Sequence, residues 1–518
     1  MNARRWAFLV AILSALAARL IAHFALRDVP HAMDEIAYVF QARTYLTGHV
    51  TAPVALPRAA FASWLIDDDT TRYGVFRPGW PAILALGTLV HLRAWVNPIL
   101  HGLTTWIVSK SARRIGGPRA RILAALVYGF SPQALFLAAS LMPQTLIALG
   151  AACALWSGIA ANTVKTRRRS LAIGGAGVAI AMLSHPISGI VILIGFAALV
   201  LLALHRRKMS ADFLVAPLLP IALGIIVRAA YNQAVTGSGS ISPQNVWLDA
   251  HAMPLGGLGH ALFNTGSALS SWLFLAGGGP LAFLAPLFLI FVARERSRSR
   301  LLTLGATIPA AIVLYVFDRD VSPGFGAQFY QVALPALLMM GALALSQLDR
   351  FKKNATRLGS IVWLVLALPG FVVGAREMSD RYLGLDDRFV QVERTWNHGT
   401  AIVMVAFKND GLRRHDLEVT GSRTRDPNPV WHNRERVQSA LTLDKIDTSY
   451  HAWLLFTKFH PALVSELRDH YPNRAFYIYF MADLPENDRF EAYNPNKWAN
   501  PDALKPPDDF DGYVVNER

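Results

Sequence analysis

The stretch WAFLVAILSALAARLIAHFALRDVPHAMDEIAYVFQA, residues 6–42, decides the fold. Residues 6–26 are apolar except for Ser14, Arg19 and His23. As a helix rising about 1.5 Å per residue, such a run covers the ~30 Å of hydrocarbon in a bilayer. Arg4 and Arg5 precede it and no small-residue cleavage site follows, so it reads as a retained anchor with its N-terminus in the cytoplasm. Just beyond it, Asp34 and Glu35 stand side by side. Carboxylates are penalised at a membrane boundary, which makes this pair the first candidate for a functional site.

Working outward, apolar runs recur over most of the chain. Of its 518 residues, 53% are hydrophobic and only 16% charged, with mean hydropathy +0.32. Further spans are expected at 96–111, 122–138, 145–161, 171–183, 187–204, 213–230, 272–292, 302–317, 330–345 and 361–373. The reading is an α-helical polytopic membrane protein of about 11–13 transmembrane helices. The net charge of +15 is not spread as in a nucleic-acid binder. It sits in short gaps between apolar runs: Lys165 with Arg167, Arg168 and Arg169; Arg206, Arg207 and Lys208; Arg294, Arg296, Arg298 and Arg300; Arg350, Lys352, Lys353 and Arg357. That is the signature of cytoplasmic loops, and nucleic acid is excluded as a partner. With those gaps inside, residues 28–78, 184–186, 236–270 and 318–328, and everything after 373, lie outside. Residues 80–93 resemble a span, but a crossing there would put Lys110, Arg113, Arg114, Arg119 and Arg121 outside; we read the segment as interfacial or re-entrant. Cys153 is the one cysteine, which rules out an intrachain disulfide and a cysteine metal site.

From Arg376 onward the long apolar runs stop. Residues 401–407, 452–457 and 475–480 are rich in β-branched and aromatic side chains and read as strands. Residues 461–470, opening on Pro461, read as a helix. The expectation is two domains: a membrane domain over 1–375, and a small α/β domain over 376–518 on the extracytoplasmic, periplasmic face of a bacterial inner (plasma) membrane. Trp431, Trp453, Tyr471, Tyr477 and Tyr479 in that domain are read as core, with stacking on sugars as the competing use.

The outer loop 28–78 is too long for a simple connection. Residues 32–46 have a helical pattern, with Asp34, Tyr38 and Gln41 on one face and the acids near the helix start, where the dipole favours them. A capped interfacial helix is the plain reading. The chemical reading makes a carboxylate a proton acceptor for a hydroxyl, while Arg72 and Arg77 grip a phosphate through forked hydrogen bonds. Asp67-Asp68-Asp69 is read as a solvated turn, with hard-cation binding as the weaker alternative.

At these residues the chain resembles a known group. The run Asp34-Glu35-Ile-Ala-Tyr38-Val-Phe-Gln41-Ala42, Gly48, and Tyr73-Gly74-Val-Phe-Arg77-Pro78-Gly79-Trp80-Pro81 is similar to the first outer loop of GT-C glycosyltransferases, family 39, with the protein mannosyltransferases and aminoarabinose transferases. Further pieces follow in order: Ser131-Pro132, Ser140-Leu-Met142, Ser184-His185-Pro186, Tyr231-Asn232 with Thr236-Gly237-Ser238, and Gly326-Ala-Gln328-Phe-Tyr330 with Leu334-Pro335. The resemblance spans about residues 6–373 and implies an integral-membrane transferase. Such enzymes take a sugar from a polyprenyl-phosphate carrier and pass it to a lipid, glycan or protein acceptor outside the cytoplasm. It implies Asp34 as catalytic base, with Glu35 positioning the acceptor or helping Asp34, and Arg77 on the carrier phosphate.

The chain departs from that pattern. Pro143-Gln144 stands where many relatives have an acidic or histidine residue, His185 where many have Arg before Pro, and Gly326-Ala327-Gln328-Phe329-Tyr330 where Gly-Pro-Arg-Tyr-Tyr is common. The missing acid argues against a divalent metal, and no cofactor is read from the residues. With those arginines missing, either Arg72, Arg77 and Arg319 take over the phosphate grip, with His185 as a further phosphate candidate, or the donor differs, or activity is lost. Tyr38, Tyr73, Asn232, Gln328 and Tyr330 are the expected cavity residues. Two other readings stay open: a transporter or flippase for a lipid-linked or polar solute, and an inactive GT-C relative in surface-polymer assembly. The spans hold few ionisable residues near their middles, which disfavours transport.

Overall fold

The computed structural model describes residues 2–61, 63, 65–67, 70–160, 167–207, 211–250, 258–292, 314, 328–379, 388–407, 454–458, 461–481 and 489–493. The expected span 302–317, apart from Leu314, lies outside them, as do Asp68, Asp69, Lys165, Arg319, Trp431 and Trp453. The chain divides into two compact units, Met1–Asp28 with Phe76–Asp380, and Val29–Val75 with Arg381–Arg518.

The first unit is helical. Helix α1 (Ala3–Phe24) is capped by Asn2, whose side chain accepts the Arg5 N–H at 3.0 Å. Residues 29–75, which belong to the second unit, hold α2 (Met33–Leu46) and α3 (Arg58–Phe61). The first unit resumes with α4 (Gly79–Leu89), α5 (Val96–Gly129), α6 (Pro132–Ala139), α7 (Gln144–Ala160), α8 (Arg167–Ser184), α9 (Pro186–Arg207), α10 (Val215–Thr236), α11 (Pro243–Ala250), α12 (Leu258–Leu275), α13 (Leu281–Val292), α14 (Leu334–Leu345) and α15 (Ala355–Ser379). Among the described residues four helices are each long and apolar enough to cross a membrane: Ala3–Phe24, Pro186–His205, Val215–Thr236 and Ala355–Arg376. A pair bent by 55°, Arg93–Gly129 with Pro132–Ala139, makes a fifth if counted as one span.

The backbone cuts two expected spans, and a kink parts 96–111 from 122–138. Gly117, at φ 83°, breaks α5 ahead of Pro118. The expected span 122–138 is interrupted after Gly129 and resumes at Pro132. The expected span 272–292 is two helices, parted by Gly277, Gly278 and Gly279, all at positive φ. Helix α4 has 11 residues, a rise of about 16 Å and too little for a bilayer crossing on its own.

Small residues let the helices approach. A Cβ at Gly150 of α7 would lie 2.5 Å from the Gly177 carbonyl oxygen of α8. Helix α14 is buried at all 12 positions and runs through the main core cluster. Interfaces of this kind rest on close van der Waals contact, since lipid offers little hydrophobic drive between helices.

The second unit joins the loop to an α/β domain. Two-residue strands β1 (Ile66–Asp67) and β2 (Tyr73–Gly74) pair antiparallel. Farther on come α16 (Arg388–Thr395), β3 (Ala401–Phe407), β4 (Leu454–Lys458), α17 (Pro461–His470), β5 (Ala475–Met481) and β6 (Arg489–Ala492). The sheet order is β4-β3-β5-β6, parallel across β4, β3 and β5, antiparallel at β6. β3 is central and Ala401–Val405 are fully buried, as both faces of a parallel strand require. Phe389 of α16 packs edge-on to Phe456 and Tyr479. Phe61 of α3 meets the Tyr471 ring at 6.3 Å, tying the loop to this domain.

Candidate functional site

The candidate residues fall into both units, and each cluster has its own frame. In the second unit α2 carries Asp34 and Glu35 in its first turn. The reading of 32–46 as an interfacial helix is corrected: every residue from Glu35 to Thr44 is buried, so α2 has no surface stripe to lay on a membrane. Its N-cap, Ala32, has no side chain to accept a hydrogen bond. Glu35 supplies one instead, its Oε2 accepting the His31 N–H at 2.7 Å. Glu35 stands at N3 and reaches past the N-cap to the residue before it, one position farther back than the returning bond of a capping box. The His31 ring nitrogen Nδ1 in turn holds the Val29 carbonyl at 2.8 Å.

Asp34 keeps part of its surface open while protein surrounds the rest. Burial pushes its carboxyl up from 3.8 to about 6, opposed by a hydrogen bond to its own backbone. A carboxylate with that value is a competent proton acceptor near neutral pH. Tyr38 and Gln41, a turn and two turns on, are buried. Gly74 sits on Gln41, where a Cβ would come 2.6 Å from Gln41 Cγ.

Arg72 is fully buried. Its guanidinium donates to the Phe61 carbonyl and lies over the Phe40 ring at 5.4 Å, and its backbone pairs with Ala52 in both directions. Those contacts make it a strut binding α2, α3 and β2. Tyr73 beside it is buried in β2. Burial also pushes the Tyr471 phenol up, against the charges of Arg474 and Arg72. Tyr479 is core, stacked on Phe490.

In the first unit, the pieces named by the resemblance converge. Tyr231 donates its hydroxyl to the Phe76 carbonyl at 3.0 Å. Arg77, half-buried, donates to the Gln244 side-chain oxygen of α11. Gly79 lies against the end of α8, where a Cβ would meet Leu183 carbonyl carbon and Ser184 Oγ, both at 2.7 Å. Trp80 donates its indole N–H to the Leu141 carbonyl at 2.7 Å, and Asn97 donates to the Ser140 and Met142 carbonyls at 2.7 and 2.8 Å. Residues 76–81, 140–142, 183–185 and 231 therefore frame one end of the bundle, with Arg77 as its cation.

His185 sits at the N-cap of α9: its Nδ1 lies 3.4 Å from the Ser188 N–H and 3.1 Å from Ser188 Oγ. Asn232 donates to the Gly239 carbonyl at 3.2 Å, closing the turn through Gly237. Tyr330 pairs its hydroxyl with Thr265 at 3.0 Å and packs edge-on to Trp272. Gln328, buried, lies in the same 3-10 turn. Gln244 is a site residue that the sequence reading missed, since a glutamine in a loop does not announce itself. Among the described residues no group of three or more His, Cys, Asp or Glu side chains converges on a metal position.

A many-helix membrane unit with a small mixed sheet and a long acidic loop defines the class. No family model and no curated protein matches the sequence. Solved structures do. The chain is similar to ArnT from Cupriavidus metallidurans bound to undecaprenyl phosphate, with 13% identity and TM-score 0.56 over 92% of this chain and 93% of that one. It is similar to the apo form of the same ArnT, with 13% identity and TM-score 0.52 over 91% and 92%. It is also similar to the oligosaccharyltransferase of Archaeoglobus fulgidus complexed with Zn and sulfate, with 14% identity and TM-score 0.50 over 82% of this chain and 61% of that one. The chain shares its fold with these proteins.

Proposed function

We propose that the protein is an inverting membrane glycosyltransferase that uses a polyprenyl-phosphate sugar. An acceptor hydroxyl on a lipid, glycan or protein attacks the anomeric carbon. Asp34 takes the hydroxyl proton as the new C–O bond forms. The bond from the anomeric carbon to the phosphate oxygen breaks, and polyprenyl phosphate departs with the electron pair. Arg77 meets the developing negative charge. Glu35 holds the loop ahead of α2 and so positions Asp34. Arg72 and His185 are further candidates for the carrier phosphate, and Tyr38, Tyr73, Asn232, Gln328 and Tyr330 for the substrate cavity.

One observation carries the reading: Asp34, partly open in the first turn of α2, has its carboxyl at about 6. The shared fold with a protein solved with undecaprenyl phosphate supplies the carrier class. In this proposal the chemistry takes place on the periplasmic side of a bacterial inner membrane, with the N-terminus in the cytoplasm, residues 1–375 as the membrane domain and 376–518 as the outer domain. The test is transfer from labelled polyprenyl-phosphate sugars by the full chain in proteoliposomes, scored by release of polyprenyl phosphate. Parent protein should release it and Asp34→Asn should not, with unchanged elution on size exclusion. Release at the parent rate by Asp34→Asn overturns the mechanism.

A further inference from the structure

A second polar cluster lies on the first unit, in the basic segment that joins the two halves of α5. Lys110 Nζ stands 4.6 Å, and Arg114 Cζ 5.2 Å, from the centre of the Trp156 ring of α7. Arg121 Cζ stands 4.7 Å from the centre of the Trp106 ring, and Trp106 meets Phe8 of α1 edge-on at 5.4 Å. Lys110 feels the charges of Arg114, Arg121 and Arg4, all of its own sign. Among the described residues none of these four cations forms an ion pair. The nearby acid, Asp349, is engaged by Arg119 at 3.3 Å and by the Thr356 N–H at 2.8 Å.

A topology signal needs only positive charge in a loop. This cluster has more. Arg121 is 3% exposed, and its Nε–H has no acceptor among the described residues. The buried indole N–H of Trp156 has none either. A buried guanidinium Nε–H and a buried indole N–H without acceptors are costly, and converging like charges add to the cost. An anion with several oxygens supplies both the negative charge and the acceptors that such a cluster lacks. The indole faces hold the cations in place from behind, as cation–π contacts do. Phe8, Leu9 and Ile12 of α1 are exposed and offer apolar surface beside the cations.

We infer that the seam of α1, α5 and α7 binds the phosphate of an anionic phospholipid, gripped by Lys110, Arg114 and Arg121 and backed by Trp106 and Trp156. Its acyl chains lie along the exposed side of α1. Basic pockets among membrane helices recognise acidic headgroups in this way. The site uses none of the residues of the transferase reading and does not depend on it.

The test is native mass spectrometry of the full chain released from nanodiscs of phosphatidylcholine with phosphatidylglycerol. Parent protein should retain phosphatidylglycerol over phosphatidylcholine. Lys110→Gln with Arg114→Gln should reduce that preference about tenfold or more, each cation near an acidic headgroup being worth roughly fivefold. Arg119→Gln, whose guanidinium faces Asp349, should keep it. The parent measurement needs no variant, and absence of a preference there overturns the inference. So does an unchanged preference in the double variant. Excess inorganic phosphate separates the sources: bound lipid that survives it supports the assignment, and full displacement overturns the lipid in favour of a soluble phosphate.

Discussion

The Glu35 carboxylate accepts the backbone N–H of His31 at 2.7 Å, and both residues are buried. Ala32 cannot cap the helix, so this bond sets how the chain enters α2 and with it where Asp34 stands. Glu35→Gln keeps an acceptor oxygen and should lose little stability. Glu35→Ala strands a buried N–H and should cost about 1–3 kcal/mol, read as a lowered Tm in detergent. Transfer should fall with Glu35→Ala and survive in large part with Glu35→Gln. Complete loss in Glu35→Gln at parent Tm would make Glu35 a group that touches substrate, against the positioning role.

Asp34 gives two pH dependences of opposite sign. As a base it must be ionised, so transfer should rise as pH climbs through about 6 and level off above it. For stability, the folded value lies above the unfolded one. Between about 4 and 6 the folded protein holds a proton that the unfolded chain gives up, so Asp34's contribution falls as pH rises across that window. Asp34→Asn should therefore raise Tm or leave it unchanged at pH 8, while abolishing transfer. A variant that loses both activity and stability at pH 8 contradicts the assignment.

His185 can be separated from its role in the resemblance, where an arginine would hold phosphate. Here its Nδ1 faces the first turn of α9. His185→Asn, a strong N-cap residue, should restore parent stability and most of the transfer rate; His185→Ala should cost about 1 kcal/mol. A rise in KM for the polyprenyl-phosphate donor in His185→Asn, with Tm unchanged, would return His185 to the phosphate.

How far the sequence could be read depended on what each signal reports. β3 and α17 were expected at 401–407 and 461–470, where they lie, because a buried strand needs a continuous β-branched run and proline suits a first helical turn. β6, Arg489–Ala492, alternates charged and apolar residues on a sheet edge and is too short to stand out. The break inside 272–292 was written in Gly277-Gly278-Gly279-Pro280, but apolar content masked it. Arg72 shows the limit for charged side chains. Residue type does not say whether a guanidinium faces a ligand or a carbonyl such as that of Phe61. Contacts that bridge 155 and 167 residues, Tyr231 to Phe76 and Arg77 to Gln244, leave no local trace.

Those two long-range bonds make the last prediction. Tyr231 fixes the Phe76 carbonyl, one residue before Arg77, and Gln244 fixes the Arg77 guanidinium itself. Tyr231→Phe removes one neutral hydrogen bond and should cost about 1 kcal/mol in stability. If Arg77 meets charge that develops as phosphate leaves, misplacing it should cost more in kcat than in stability, since small displacements weaken transition-state contacts steeply. Arg77→Lys keeps the charge and loses the planar fork, so it should transfer slowly and not at all like the parent. Gln244→Leu should lie between the two, with kcat lowered and KM for the donor little changed. Equal Tm and equal kcat across Tyr231→Phe, Gln244→Leu and Arg77→Lys would remove Arg77 from the leaving-group role and leave it as one more strut in the frame.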